Sequence, residues 1–175
     1  YRSMAENMVA EVGNQMVSAG IVLVKMLRLQ EMTSGFTKAA DGSVIEIGDE
    51  KLKALMELLE SLGKEKAIIW CRFNHEIEKI KVAIKKEYPD RKVNVLAGSV
   101  SNEERQKIFQ EFQSGSHQDD IILANVQVGG VGINLTASAY AIYFSRTFSF
   151  GDADQSESRV NRLGQTRNVT YYDLV

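Results

Sequence analysis

Ala67-Ile68-Ile69-Trp70-Cys71 is a run of five residues with no charged or amide side chain, set between Gly63-Lys64-Glu65-Lys66 and Arg72-Phe73-Asn74. Its length suits a strand, and its lack of apolar/polar alternation predicts a strand buried on both faces. Downstream, Asn74 predicts an N-cap for a helix that places Ile77, Ile80, Ile84 and Tyr88 on one side, closed by Pro89. Val93-Asn94-Val95-Leu96 predicts a short strand. Ser101-Asn102-Glu103-Glu104 has the form of a capping box, opening a helix that carries Ile108, Phe109 and Phe112. Ile121 to Ala124 and Tyr140 to Phe144 predict two further buried strands. A polar helix over about 153–162 then precedes a last strand-like run, Val169 to Val175. Strands alternating with helices, several of them solidly apolar, define an α/β fold with a parallel sheet covered on both faces.

Upstream of the run, Asp49 predicts the cap of a helix that turns Leu52, Leu55, Met56, Leu59 and Leu62 inward and stops at Gly63. Phe36–Ala39 and Ser43–Ile47, joined through Asp41-Gly42, predict a hairpin. Ser3 to about Met32 is helical in pattern, with Gly20 as a break. The expected organisation is an N-terminal helical segment over 1–35, a hairpin over 36–48 and an α/β lobe over 49–175. The chain starts at Tyr1 and stops inside a strand-like run, and both ends read as those of a segment cut from a longer protein.

The 175 residues are 44% hydrophobic and 25% charged, with 13 Gly and 1 Pro, which excludes collagen-like, Pro-rich and strongly disordered classes. A net charge of -2 gives no global basic signal for nucleic acid. Cys71 is the single cysteine, so an intrachain disulfide and a multi-cysteine metal site are excluded. Within its apolar run it reads as a small core residue rather than a nucleophile. His75 and His117 lack metal-ligand spacing, and no metal site is expected. The longest aliphatic run, Ile21 to Val24, is far short of a bilayer span. With no signal-peptide pattern, the expected location is intracellular: cytoplasmic, or the nucleus in a eukaryote.

Chemistry in such folds gathers on loops at the carboxyl ends of strands. After Ala124 comes Asn125-Val126-Gln127-Val128-Gly129-Gly130-Val131-Gly132-Ile133-Asn134-Leu135-Thr136. Glycines so placed let a backbone bend tightly and turn N–H groups toward phosphate oxygens; a tight turn without a ligand fits the same residues. Further on, Arg159 and Arg162 are three apart and Gln155 is four before Arg159, which on one helix puts all three on a shared face. Two guanidiniums aimed together suit a polyphosphate; taken alone, the same residues also fit solvated arginines paired with Glu157, the plainer of the two readings. Lys79, Lys81, Lys85, Lys86, Arg91 and Lys92 alternate with Glu76, Glu78, Glu87 and Asp90 and read as a solvated helix face.

In order and spacing these pieces resemble a family. Gly129 to Ala137, followed about twenty residues on by Gln155-x3-Arg159-x2-Arg162-x-Gly164-Gln165, resembles motifs five and six of the Swi/Snf-type ATPases, double-stranded DNA translocases of helicase superfamily two. Lys66 to Phe73 is similar to motif four. Gly98-Ser99 with Arg105 and Phe109 to Phe112 is similar to the Gly-Ser turn and the helix after it. Leu27-Arg28-Leu29-Gln30 and Lys51-Leu52-x2-Leu55 sit where the family joins its lobes. The resemblance covers essentially the whole chain, and Gly164-Gln165 separates this group from RNA-helicase relatives, which carry Gly-Arg. Asn161 stands where His is frequent and Phe148-Ser149-Phe150 where Trp-Asn-Pro is usual, which suggests a bacterial or phage member.

The resemblance implies a RecA-like, P-loop-NTPase-type lobe of three layers, the second of a pair that closes on ATP and magnesium. The chain has no Gly-x4-Gly-Lys-Ser/Thr and no Asp-Glu-x-His box, so ATP with its Mg2+ is expected to be held mainly by an N-terminal RecA-like lobe of the same protein. By resemblance, Arg159 and Arg162 are arginine fingers assisted by Gln155. Gly129, Gly130, Gly132 and Asn134 shape the nucleotide-side loop, and Arg72, Ser99, Asn125 and Thr136 contact double-stranded DNA. The segment alone is expected to be inactive, with no membrane partner. Two other readings stay open at this point: a non-enzymatic nucleic-acid-binding or regulatory module that keeps the fold, and an RNA or single-strand helicase lobe.

Overall fold

A computed structural model describes residues 15–39, 41–98, 100–115, 119–125 and 134–175 of the chain. Ser99 and the glycines Gly129, Gly130 and Gly132 lie outside the described residues, as does the start of the predicted N-terminal helical segment. The chain divides into two compact units, residues 1–49 and 50–175.

In the first unit, helix α1 spans Gln15–Thr33 and continues through Gly20, where the sequence predicts a break. One glycine costs a helix only about 1 kcal/mol, which its neighbours can offset. Strands β1 (Phe36–Lys38) and β2 (Val44–Glu46) pair antiparallel, with Thr37 opposite Ile45. Their connection closes around Asp41-Gly42. Gly42 takes a left-handed φ of 85°, and the Asp41 carboxylate accepts from the Ser43 N–H (2.9 Å) and hydroxyl (2.6 Å).

The second unit opens with α2 (Glu50–Leu62), then β3 (Ala67–Cys71), α3 (Asn74–Glu87), β4 (Val93–Leu96), α4 (Asn102–Gln113), β5 (Ile121–Asn125), β6 (Tyr140–Tyr143), α5 (Phe150–Val160) and β7 (Thr170–Asp173). The five strands form one parallel sheet in the order β4-β5-β3-β6-β7. The deciding run is the central strand, buried at all five positions. Its side chains alternate between two cores. Ala67, Ile69 and Cys71 pack with Leu55 and Leu59 of α2 and with Ile77, Ile80 and Ile84 of α3. Ile68 and Trp70 pack on the opposite face with Phe112 of α4, Val160 of α5 and Leu135.

The helices take these faces for a topological reason. The chain passes from β3 outward to β4 through α3 and returns to β5 through α4. Crossovers of one hand that reverse direction must lie on opposite sides of the sheet. The step from β6 to β7 runs in the same direction as the step from β4 to β5, and α5 accordingly shares a face with α4. The result is the three-layer α/β architecture. Because all strands are parallel, every carboxyl end opens on one edge of the sheet and every amino end on the other.

Two local expectations change. Asn74 is the first helical residue of α3 rather than its cap: Phe73 holds the extended cap position, and its side chain makes no capping bond. The α3 terminus is served instead by the carboxylate of Glu76, which accepts from the Phe73 N–H. Helix α5 starts at Phe150, earlier than predicted, and ends at Val160, so Arg162 falls beyond it. By contrast Ser101 caps α4 as expected, its hydroxyl accepting from the Glu104 N–H at 3.2 Å.

Candidate functional site

At the carboxyl edge, the turn after β3 brings Arg72 beside Asn125, the last residue of β5, whose side-chain amide donates to the Arg72 carbonyl at 3.0 Å. The Arg72 guanidinium lies 4.7 Å from the centroid of Phe148, an aromatic 54% exposed, and 5.8 Å from Phe73. Aromatic rings over its flat face orient a guanidinium and leave its edge to meet anionic oxygens.

A buried carboxylate holds this turn in place. Glu76, 1% exposed on the first turn of α3, accepts through Oε2 from the N–H groups of Arg72 (3.1 Å) and Phe73 (3.0 Å) and from the Ser145 hydroxyl (2.6 Å). The Ser145 oxygen in turn accepts from the Arg72 N–H at 2.8 Å. An acidic group at a helix N-terminus satisfies donors that the helix itself leaves open. Complete burial, together with the same charge, pushes the Cys71 thiol well above its usual range. A thiolate there is disfavoured, which agrees with a core role.

At the amino edge, the approach to β6 meets the end of α5. The Leu135 N–H donates to the carbonyl of Arg159 at 3.1 Å. The Arg159 side chain is 5% exposed, whereas Gln155 and Arg162 are exposed. Gln155 and Arg159 thus stand one turn apart on α5, as predicted, although only Arg159 is buried, whereas the end of α5 separates Arg162 from both. Glu157 pairs with Arg146 at 3.2 Å. Asn134 is exposed, and its Oδ1 accepts from the Thr136 N–H at 3.2 Å.

Thr136 departs from the grouping read from sequence. It lies before β6, at the edge opposite Arg72 and Asn125, and its hydroxyl accepts from Gln113 at 3.1 Å. Gln113 also takes the Ala137 N–H at 2.7 Å, so this threonine anchors the loop to α4. Arg91 also differs, being 4% exposed rather than on a solvated face. It donates to the carbonyls of Asp119 (2.8 Å) and Glu65 (2.7 Å), and burial lowers its pKa. Lys66, ahead of β3, is similarly drawn in, donating to the Phe112 carbonyl with its ammonium 4.9 Å from that ring; burial lowers its pKa too.

Sequence reasoning puts Glu76 on a solvated helix face, where the structure buries it, and it misses Ser145 and Arg146. Arg146 forks onto Asp173 and also reaches Glu157, with its guanidinium 3.9 Å from the Tyr143 ring. The Asp173 hydrogen bonds raise its pKa further. An acid at the third position of a predicted helix is a signal that could have found Glu76; Ser145 and Arg146 have no local signature. Gln165 turns out to be a staple. Its amide donates to the carbonyls of Ser138 (2.8 Å) and Val160 (3.3 Å), and its oxygen accepts from the Arg167 N–H (3.0 Å). Gly164 supplies the left-handed turn before it, with φ of 103°. Among the described residues no His, Cys, Asp and Glu group is arranged to hold a metal, and no helix is long and apolar enough to cross a membrane.

A five-stranded parallel sheet in this order, with helices on both faces, is a RecA-like lobe. The model of the helicase conserved C-terminal domain matches residues 50–164, and the chain belongs to that family. It superposes on the Sulfolobus solfataricus SWI2/SNF2 ATPase core in complex with dsDNA with a TM-score of 0.67 and 28% identity, over 99% of this chain and 37% of that one. The C-terminal part of the Fun30 ATPase domain gives 0.64 and 29%, over 71% and 40%. An uncharacterized ATP-dependent helicase of Mycoplasma genitalium is 30% identical over 155 residues, covering 88% of this chain. The chain spans 15% of that relative's length. Its structural kin are thus the C-terminal lobes of Snf2-type ATPases.

Proposed function

We propose that the chain is the second motor lobe of an ATP-dependent double-stranded DNA translocase, acting with an N-terminal RecA-like lobe of the same protein. The observation that carries this reading is the division of the candidate residues between the two edges of one sheet. Arg72 and Asn125 share the carboxyl edge; at the amino edge Leu135, the residue after Asn134, donates its N–H to the Arg159 carbonyl. Asn125 and Asn134 are only nine positions apart in sequence, so nucleic acid and nucleotide are served by neighbouring parts of the chain. The solved SWI2/SNF2 relative with dsDNA favours a duplex over single-stranded nucleic acid.

In this reading Arg159 and Arg162 are the arginine fingers. A guanidinium held by burial, with an exposed one just past the helix end, suits the growing charge of a transferring phosphoryl group. Such a finger is worth about 10³ to 10⁵ in rate. Gln155, exposed on α5, assists from the nucleotide side, and Gly129, Gly130, Gly132 and Asn134 shape the loop there. ATP and its magnesium are held mainly by the other lobe, so turnover requires closure. Arg72, Asn125 and Ser99 contact phosphates and sugars, which gives weak sequence preference. A DNA substrate places the protein in the cytoplasm of a bacterium or phage-infected cell, or in a eukaryotic nucleus.

The test is ATP turnover by the protein carrying both lobes, with and without duplex DNA, beside Arg162→Ala. DNA-stimulated hydrolysis that falls by orders of magnitude in the variant, with nucleotide still bound, is the expected result, and the present chain alone turns over nothing. Equal turnover in the variant would remove the finger assignment. Appreciable DNA-stimulated turnover by this chain alone would remove the two-lobe reading.

A further inference from the structure

Resting on the two-lobe reading, we propose that the adjacent pair Ser145-Arg146, in the turn between β6 and α5, is a positioning element that couples the DNA-contacting turn at Arg72 to the finger-bearing helix α5. The two residues reach opposite sides of the sheet. Ser145, 4% exposed, faces the α3 side, where its oxygen accepts from the Arg72 N–H at 2.8 Å and its hydroxyl donates to Glu76 at 2.6 Å. Arg146 reaches the other side. Its guanidinium lies 3.9 Å from the Tyr143 ring, donates to both carboxylate oxygens of Asp173 at the end of β7, and reaches Glu157 on α5 at 3.2 Å. Glu157 is two residues before Arg159.

A displacement of the Arg72 turn thus acts on Ser145 directly and, one peptide bond later, on the group that grips α5. The geometry is that of an orienting device more than a stabilising one. The Arg146 side chain is 37% exposed and its acidic partners 46% and 43%, and exposed pairs of this kind add little to folding stability. A forked guanidinium bound to one carboxylate and to a second group nevertheless fixes direction, which a single point charge does not. Tyr143 adds a further tie, its hydroxyl lying 2.8 Å from Ser156 on the same helix.

The experiment measures, in the protein carrying both lobes, ATP hydrolysis with and without saturating duplex DNA, DNA affinity and melting temperature. It compares wild type with Ser145→Ala, Arg146→Gln, Arg146→Lys and Arg159→Ala. Ser145→Ala and Arg146→Gln are expected to cut the DNA-induced stimulation about tenfold, within the ordinary range of coupling between two sites, with DNA affinity changed less than about threefold. Arg146→Lys keeps the charge without the fork and falls between. Stimulation equal to wild type in Ser145→Ala and Arg146→Gln would overturn the inference, as would losses that only track DNA affinity or melting temperature. Two outcomes reach deeper and overturn the lobe reading together with this inference: a wild-type protein that duplex DNA does not stimulate, and full turnover in Arg159→Ala.

Discussion

Removing the Glu76 carboxylate should destabilise the α/β unit more than any other single polar change at the carboxyl edge. In Glu76→Ala, three bonds to one carboxylate oxygen go together: the Phe73 N–H and the Ser145 hydroxyl lose their acceptor, and the Arg72 N–H keeps only the Ser145 oxygen. Each bond to a charged acceptor contributes on the order of 1.5 to 3 kcal/mol. Two effects reduce the sum: the variant no longer buries a carboxylate that is 1% exposed, and the serine hydroxyl can rotate to another acceptor. The expected net loss is about 3 kcal/mol, which in a unit of this size lowers the melting temperature by about 10 °C. Glu76→Gln keeps an oxygen in the same place and should lose only about 1 kcal/mol. Urea unfolding of the chain followed by circular dichroism gives both numbers. Glu76→Ala within about 0.5 kcal/mol of wild type would mean that the three bonds contribute nothing net and that the carboxylate does not hold the turn. Glu76→Gln as damaging as Glu76→Ala would show that charge, not acceptor geometry, holds the turn.

Other positions carry their own expectations. Phe112 is fully buried, packed against Ile108 and Phe109, and lies beneath the Lys66 ammonium; Phe112→Ala should cost about 3 to 5 kcal/mol in the same denaturation assay. Burial pushes the Tyr143 phenol up from 10.0 to about 12. The unfolded chain therefore loses that proton first as pH rises, and the stabilisation, full below about pH 10, disappears as pH climbs through about 12. A phenol held up by that much contributes at most about 3 kcal/mol; Tyr143→Phe should flatten the alkaline limb in pH-dependent melts, and an unchanged limb would contradict the assignment to this phenol. Gly164→Ala forces a side chain into a φ of 103° and should cost about 1 kcal/mol or more in thermal melts, loosening the Gln165 staple.

The layers of the fold are legible because the decisive runs are unambiguous. Ala67–Cys71 is a strand residue for residue, since a short solidly apolar run fits little else than a strand of a covered sheet; Val93–Leu96, interrupted by Asn94, is one as well. Helix α3 turns in Ile77, Ile80 and Ile84 at the spacing that marks them. The ends of elements are less legible. Asn74 carries the chemistry of a cap, but Glu76 already supplies the acceptor from within the helix, so nothing requires the asparagine at the cap position. Polar composition alone bounds α5, and composition says little about where a helix stops. This is why Arg162 reads as helical and is not.

The candidate site is legible as residue types and only partly as geometry. Arg72 and Asn125 can be placed at one edge once the strands are known, because Arg72 follows its strand directly and Asn125 ends its own. Thr136 is misplaced by the same logic: it follows a strand in sequence but stands before the next one in space. The Glu76, Ser145 and Arg72 network joins residues as far apart as 69 and 73 positions, and no local pattern carries such a pairing. The helicase-family resemblance names Gly164-Gln165 as a group marker; the hydrogen bonds of Gln165 give it a physical task, holding the end of α5 to the approach of β6.

If, as proposed, one sheet serves DNA at its carboxyl edge and nucleotide at its amino edge, substitutions at the two edges separate the two activities. The most direct measurement is duplex-DNA affinity and ATP turnover for Arg72→Ala and Arg159→Ala, side by side, in the protein carrying both lobes. The expected result is crossed. Arg72→Ala weakens DNA binding and lowers its salt dependence by about 0.9 in log–log slope, while turnover at saturating DNA survives; Arg159→Ala binds DNA normally and loses turnover. Arg159→Ala weakening DNA binding as much as Arg72→Ala, or Arg72→Ala abolishing turnover at saturating DNA, would contradict it.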